Sequence, residues 1–137
     1  MAGYSKTPLA KKLGIKEGFR VRIKNPPCDY RKLVAPLPNN VTVSLTLRTD
    51  IDLWHLFTRS SLELRAQLPK LLGQIRQNGA IWVSWPKKSS GEPTDVSGDE
   101  IRAAALPLGL VDVKVCAVDD VWSGLKLVIR KKNRKKV

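Results

Sequence analysis

Trp85-Pro86-Lys87-Lys88 ends an apolar run with an indole and two ammonium groups, and small polar residues follow as far as Asp95. Such a set suits the binding of an anion, because the lysines supply charge and donors while a flat ring excludes water beside them. Arg59 and Trp122 carry the same two chemistries and complete this candidate site. Bond-making chemistry finds little support. The chain holds one histidine, His55, and two cysteines, Cys28 and Cys116, with no CxxC pair, so an ordinary Cys/His zinc set cannot be assembled. No Ser, His and Asp spacing, no Cys and His pair and no P-loop stands out. No metal, no cofactor and no catalytic residue is expected. His55, inside an apolar run, reads as a core histidine with its hydrogen bonds satisfied, and Cys116, inside a strand, as inert packing.

The second candidate is a surface. Lys and Arg number 25 against 12 Asp and Glu, a formal charge of +13 that points to an acidic partner. Arg20, Arg22 and Lys24 alternate with Phe19, Val21 and Ile23, and Arg130, Lys131, Lys132, Arg134, Lys135 and Lys136 put six positive charges in seven residues. Either set would adhere to the phosphates of a nucleic acid without reading its sequence. Each has a plainer explanation beside it. Long Arg and Lys stems also cover a sheet while their heads reach water, and a basic run also serves as a solubilising end. Lys87 and Lys88 would equally serve as ion-pair partners of Asp95, Asp99, Glu100, Asp119 or Asp120.

These residues need elements to hold them. Thr7-Pro8 predicts an N-cap and first turn for a short helix ended by Gly14, and the alternation over 19–25 predicts a strand stopped by Pro26-Pro27. A short helix is expected over 29–35. VTVSLTLR at 41–48 alternates like a strand, and DIDLWHLFT at 50–58 is apolar throughout, like a central one. Ser60-Ser61-Leu62-Glu63 is a capping box that opens the longest helix, carrying Leu64, Leu68, Leu71, Leu72 and Ile75 as far as Gly79, with Pro69 expected to kink or split it. GAIWVSW follows as a strand, Ser97 with Glu100 opens another helix, and strands at 111–118 and 125–130 form a hairpin through DDVWSG. Strands separated by helices imply parallel pairing through right-handed crossovers. The expected fold is a single three-layer Rossmann-like α/β domain over 1–130, a mostly parallel sheet with a C-terminal antiparallel hairpin, followed by a disordered basic tail at 131–137.

The order of elements resembles that of class I methyltransferases. The resemblance implies S-adenosylmethionine held against a glycine-rich turn after the first strand, where glycine lets backbone approach and leaves its N–H groups free. Here that turn is Asn25-Pro26-Pro27-Cys28, without glycine and with two residues lacking an N–H. A closer likeness lies in YSKTPLAKKLGIK at the start, WVSWPKKSSGEPTD in the centre and KVCAVDDVWSGLKLV near the end. Together these are similar to a small bacterial family, domain of unknown function 3052, which implies a methyltransferase-like fold without an established activity. The matching residues are Trp85, Pro86, Lys87, Lys88, Ser90, Gly91, Thr94, Asp95, Asp119, Trp122, Ser123 and Gly124.

Three readings follow. The chain is a non-catalytic binding or interaction module with an anionic partner, a nucleic-acid-associated basic protein that binds weakly and without specificity, or a divergent S-adenosylmethionine-dependent methyltransferase. The missing glycine turn weighs against the third. The opening residues lack the apolar core of a signal peptide, and the best apolar run, Ala103 to Val111, contains Pro107 and is too short for a bilayer, so a cytoplasmic location is expected.

Overall fold

The computed structural model describes residues 7–135. In chain order the elements are α1 (Leu9–Leu13), β1 (Arg20–Lys24), α2 (Tyr30–Val34), β2 (Thr42–Ser44), β3 (Ile51–Phe57), α3 (Ser61–Leu72), β4 (Ile75–Pro86), α4 (Gly98–Ala105), β5 (Leu110–Ala117) and β6 (Trp122–Ile129). Short 3-10 turns lie at Lys88–Ser90, Leu106–Leu108 and Lys131–Asn133. The six strands form one sheet in the order β2-β1-β3-β4-β6-β5. β1 pairs in parallel with both β2 and β3, and β3 with β4, whereas β6 runs antiparallel to β4 and β5.

Two apolar layers flank the sheet. On one face, Leu64, Leu68 and Leu71 of α3 and Ile101, Ala104 and Ala105 of α4 pack against Trp54, Leu56, Ile81, Val83, Leu125 and Leu127. On the other, Leu13 of α1 and Tyr30 and Val34 of α2 meet Val21, Ile23, Leu53, Phe57, Trp82 and Trp122. Both N-caps operate, since the hydroxyl oxygens of Ser60 and Ser97 accept from the N–H of Glu63 and Glu100, but the reciprocal half of the first box is not made: Ser60 N–H donates to Thr58 Oγ1 and the Glu63 carboxylate meets Asn25.

Several boundaries differ from those expected. Pro8, not Thr7, is the N-cap of α1, and it provides no side-chain hydrogen bond. The strand expected over 41–48 ends at Ser44, because the Ser44 hydroxyl accepts from the N–H of Thr46 and Leu47 and turns the chain. α3 ends at Leu72, and Ile75 begins β4 instead of continuing the helix. Pro69 lies inside α3 and does not split it. Only three residues follow it, and both Pro69 and Arg65, whose carbonyl loses its helical donor, are exposed, so water can replace the forgone bond.

Gly79 is not the helix stop. Ile51 pairs with Ile75 and Leu53 with Ala80, so β4 bulges between them, and a Cβ on Gly79 would stand 2.9 Å from the Ile51 carbonyl oxygen and 3.1 Å from that of Asp52. Glycine is needed for that approach. Trp122, Ser123 and Gly124, expected in the hairpin loop, belong to β6. At the sheet's far edge the β5 register slips at Val113, and Val113 and Val115 are each 54% exposed.

Over its described residues the basic end makes hydrogen bonds back to the domain. Arg130 N–H donates to the Gly109 carbonyl, Arg134 Nε to the Ile129 carbonyl at 2.9 Å, and Lys135 N–H to Gln77 Oε1 at 2.9 Å. Lys136 lies outside the described residues, as do the first three residues of YSKTPLAKKLGIK.

Candidate ligand rim

In open α/β sheets ligands bind beyond the carboxyl ends of the strands where the strand order reverses, here between β1 and β3. A cleft of about 560 Å³ lies there, lined among others by Asn25, Pro27, Thr58, Arg59, Glu63 and Trp122. Asn25 holds a left-handed conformation (φ 58°). Its Nδ2 donates to the Phe57 carbonyl at 3.2 Å and reaches the Glu63 carboxylate at 3.4 Å, which ties the end of β1 to the start of α3. Arg59 Nη1 pairs with Glu92 at 3.3 Å, and its guanidinium lies 5.0 Å over the Trp122 ring.

The five residues proposed for one anion site do not converge. Arg59 and Trp122 line this cleft, while Trp85 and Lys88 line a separate groove with Thr94, Asp95 and Ser97. The division has a simple cause: Trp85 packs with the α3/α4 layer and Trp122 with the α1/α2 layer, on opposite faces of the sheet. Trp122 is 5% exposed, edge-on to Phe57 at 5.4 Å and covered by Arg59, so it offers no free ring to a ligand. Lys87 does sit beside the β5–β6 turn, its N–H donating to the Val121 carbonyl at 2.7 Å.

Four of the acids expected to pair with Lys87 and Lys88 have other partners. Asp95 accepts from Ser61 N–H at 2.7 Å, Glu100 from Arg65 and the Ser61 hydroxyl, Asp99 from Arg102, and Asp119 from the N–H of Val121 and Trp122. The Ser61 and Arg65 bonds hold the Glu100 carboxyl below its usual range. Among the described residues neither Lys87 nor Lys88 makes an ion pair. Glu63, which lines the cleft, and Glu92, which pairs with Arg59 there, carry no sequence signal for those roles, since their partners lie 38 and 33 residues away.

The alternating basic strand is half-buried, not bare. Arg22 lies 4.8 Å over the Trp54 ring and donates from Nη1 to the Leu47 carbonyl at 2.8 Å, and Arg20 donates to the carbonyls of Thr49 and Asp50. Burial first, and then Arg48, lowers the Arg22 pKa. Lys24 is likewise half-buried. Arg130, Lys131, Lys132 and Lys135 are exposed.

His55 is fully buried. Tyr30 Oη lies 2.8 Å from its Nδ1 and Ser84 Oγ 2.7 Å from its Nε2, and its ring stacks on Phe57 at 4.2 Å. With Tyr30 and Ser84 also buried, the trio is sealed from any substrate and works as a core hydrogen-bond chain. Cys116 is half-buried, and desolvation raises its thiol pKa. Among the described residues no group of three or more His, Cys, Asp or Glu could hold a metal, and no helix is long and apolar enough to cross a membrane.

A family model described as Protein of unknown function (DUF3052) matches residues 48–131, more than half of the 137 residues. The chain belongs to this family. The match takes in the WPKK segment and the β5–β6 hairpin, while β1, α2, β2 and the opening YSKTPLAKKLGIK lie outside it. Among curated proteins nothing matches. Among solved structures, TrmN from Thermus thermophilus is similar at a TM-score of 0.61 and 12% identity, over 88% of this chain and 47% of that one. The fibrillarin pre-rRNA processing protein of Methanococcus jannaschii is similar at 0.59 and 9% identity, over 95% and 76%. Magnesium protoporphyrin IX methyltransferase from Synechocystis PCC 6803, with bound S-adenosylhomocysteine, follows at 0.58 and 10%, over 88% and 78%. The DUF3052 chain thus spans about half the length of TrmN and has a class I methyltransferase-like fold.

That fold implies S-adenosylmethionine, and the residues present do not fit it. The turn after β1 presents a left-handed asparagine and two prolines, and no glycine stands between β1 and α2 to let a cofactor approach. The Asn25 amide, which could have donated instead, is taken up by Phe57 and Glu63.

Proposed function

We propose that this protein is a non-catalytic binding module for an anionic partner, built on a methyltransferase-like sheet that no longer cradles a nucleotide cofactor. The observation that carries the reading is the charge left over at the rim. The described acids Asp95, Asp99, Glu100 and Asp119 are bonded elsewhere, and Lys87 and Lys88, directly after β4, have no counter-ion among the described residues. Lys88 borders the groove with Trp85, and Lys87 precedes it in the chain, its N–H held by the Val121 carbonyl. A ligand that binds only the folded state raises its melting temperature by mass action. Inorganic sulfate or phosphate is therefore expected to stabilise the wild-type chain at low ionic strength, and Lys87→Ala/Lys88→Ala to remove that stabilisation with the unliganded melting temperature unchanged. A double variant that melts much lower without any anion would make the two lysines structural and end the reading.

A second reading, association with nucleic acid, draws on the exposed residues Arg130, Lys131 and Lys132 at the start of the last 3-10 turn. It predicts weak, sequence-independent binding that falls steeply with salt.

A further inference from the structure

Ile23, His55, Trp82, Lys126 and Lys114 form one row across the α1/α2 face of the sheet. The row begins apolar and ends on two lysines. Lys126 of β6 and Lys114 of β5 are direct partners in an antiparallel pair, where side chains stand about 5 Å apart at Cβ and like charges repel. The C-terminal turn of α1 lies over the same row. Trp82 Nε1 donates to the Leu13 carbonyl at 2.9 Å and Lys114 Nζ to the Lys12 carbonyl at 2.8 Å, while a Cβ on Gly14 would stand 3.4 Å from Lys126 Nζ. Lys12 and Lys16 bracket that turn. Among the described residues none of the four lysines makes an ion pair.

Capping of α1 accounts for only part of this. Lysines near a helix C-terminus donate to its last carbonyls, as Lys114 does. Lys126 donates to nothing among the described residues, although it is half-buried beside Trp82. Its ammonium is open to solvent, since no buried side-chain nitrogen lacks a partner among those residues. Burial first, and then Lys114 and Lys16, lowers its pKa. Water serves its ammonium, but like charges crowd it and no described carboxylate answers them, a repulsion that an apolar side chain of similar length would spare. The arrangement makes sense when a multiply charged anion supplies what the chain withholds.

We infer that Lys12, Lys16, Lys114 and Lys126 bind a small ligand carrying clustered phosphates over the C-terminal turn of α1. Lysine acts on phosphate as a movable point charge, and several converging ammonium groups match several phosphates better than one carboxylate. The site lies four residues along β6 from Trp122, roughly 13 Å at strand spacing, so it does not rest on the rim reading.

Inorganic tripolyphosphate is the probe, with calorimetry and thermal melts of the full chain at low ionic strength. One equivalent should bind and stabilise the wild type. Lys114→Gln/Lys126→Met should weaken binding roughly tenfold or more while its unliganded melting temperature stays level or rises, because repulsion is relieved. Lys126→Arg, which keeps the charge, and Lys87→Ala/Lys88→Ala, which alters only the rim, should both retain binding. Unchanged affinity in Lys114→Gln/Lys126→Met, or a marked fall in its unliganded melting temperature, would overturn the site. So would an equal loss in Lys131→Gln/Lys132→Gln, since net charge alone would then explain the effect.

Discussion

Burial keeps the His55 imidazole neutral, lowering its pKa to about 3, and Tyr30 and Ser84 occupy both ring nitrogens. An unfolded chain takes up that proton near pH 6.5, so stability present above pH 6.5 is lost as pH falls toward 3, by up to about 1.4 kcal/mol per unit. Urea midpoints measured from pH 7 to pH 4 should follow this slope, and His55→Gln should flatten it. Ser84→Ala, which leaves one ring nitrogen unsatisfied, is expected to cost about 1–3 kcal/mol at neutral pH. The role of His55 was legible in the sequence because the run around it is apolar on both sides. Its partners were not, since Tyr30 is 25 residues before it and Ser84 29 after. The same distance hid the fate of Arg20 and Arg22, whose alternation was plain while the loop carbonyls that accept from them were not.

At the level of elements, hydrophobic period and capping residues identified nearly every helix and strand, and the errors fell where a local interaction overrides period. Alternation continues to Leu47, yet the Ser44 hydroxyl ends β2. A glycine after a helical pattern looks like a stop, yet Gly79 marks where two backbones touch inside the sheet. Gly79→Ala is therefore expected to destabilise by about 1–3 kcal/mol, the cost of overpacking, in a denaturant titration. A helix terminator at that position would tolerate alanine at much smaller cost. The rim was half legible for a related reason: period assigns a residue to a face of its own strand, but only the pairing of β4 with β6 reveals that Trp85 and Trp122 face opposite ways.

For the whole molecule, the layered α/β architecture was readable from the order of elements alone, because crossover rules leave few ways to arrange them. The prolines after β1 carry the sharpest consequence of that architecture. S-adenosylmethionine is expected not to bind measurably, and a micromolar dissociation constant by calorimetry would contradict it. Duplex DNA should bind weakly, and Lys131→Gln/Lys132→Gln should reduce the slope of log affinity against log salt by about 0.9 for each phosphate that is no longer neutralised. β5 adds a constraint of another kind. No described strand pairs with its outer side, which leaves backbone donors and acceptors beside Val113 and Val115 as a template onto which a second molecule's strand could be laid. The slip at Val113 and the charge of +13 hold such neighbours apart, and salt leaves the first barrier intact while screening the second. Colloidal behaviour thus becomes a property of ionic strength: light scattering should stay flat in dilute buffer and climb as salt is added, most steeply in a variant whose outer strand runs straight.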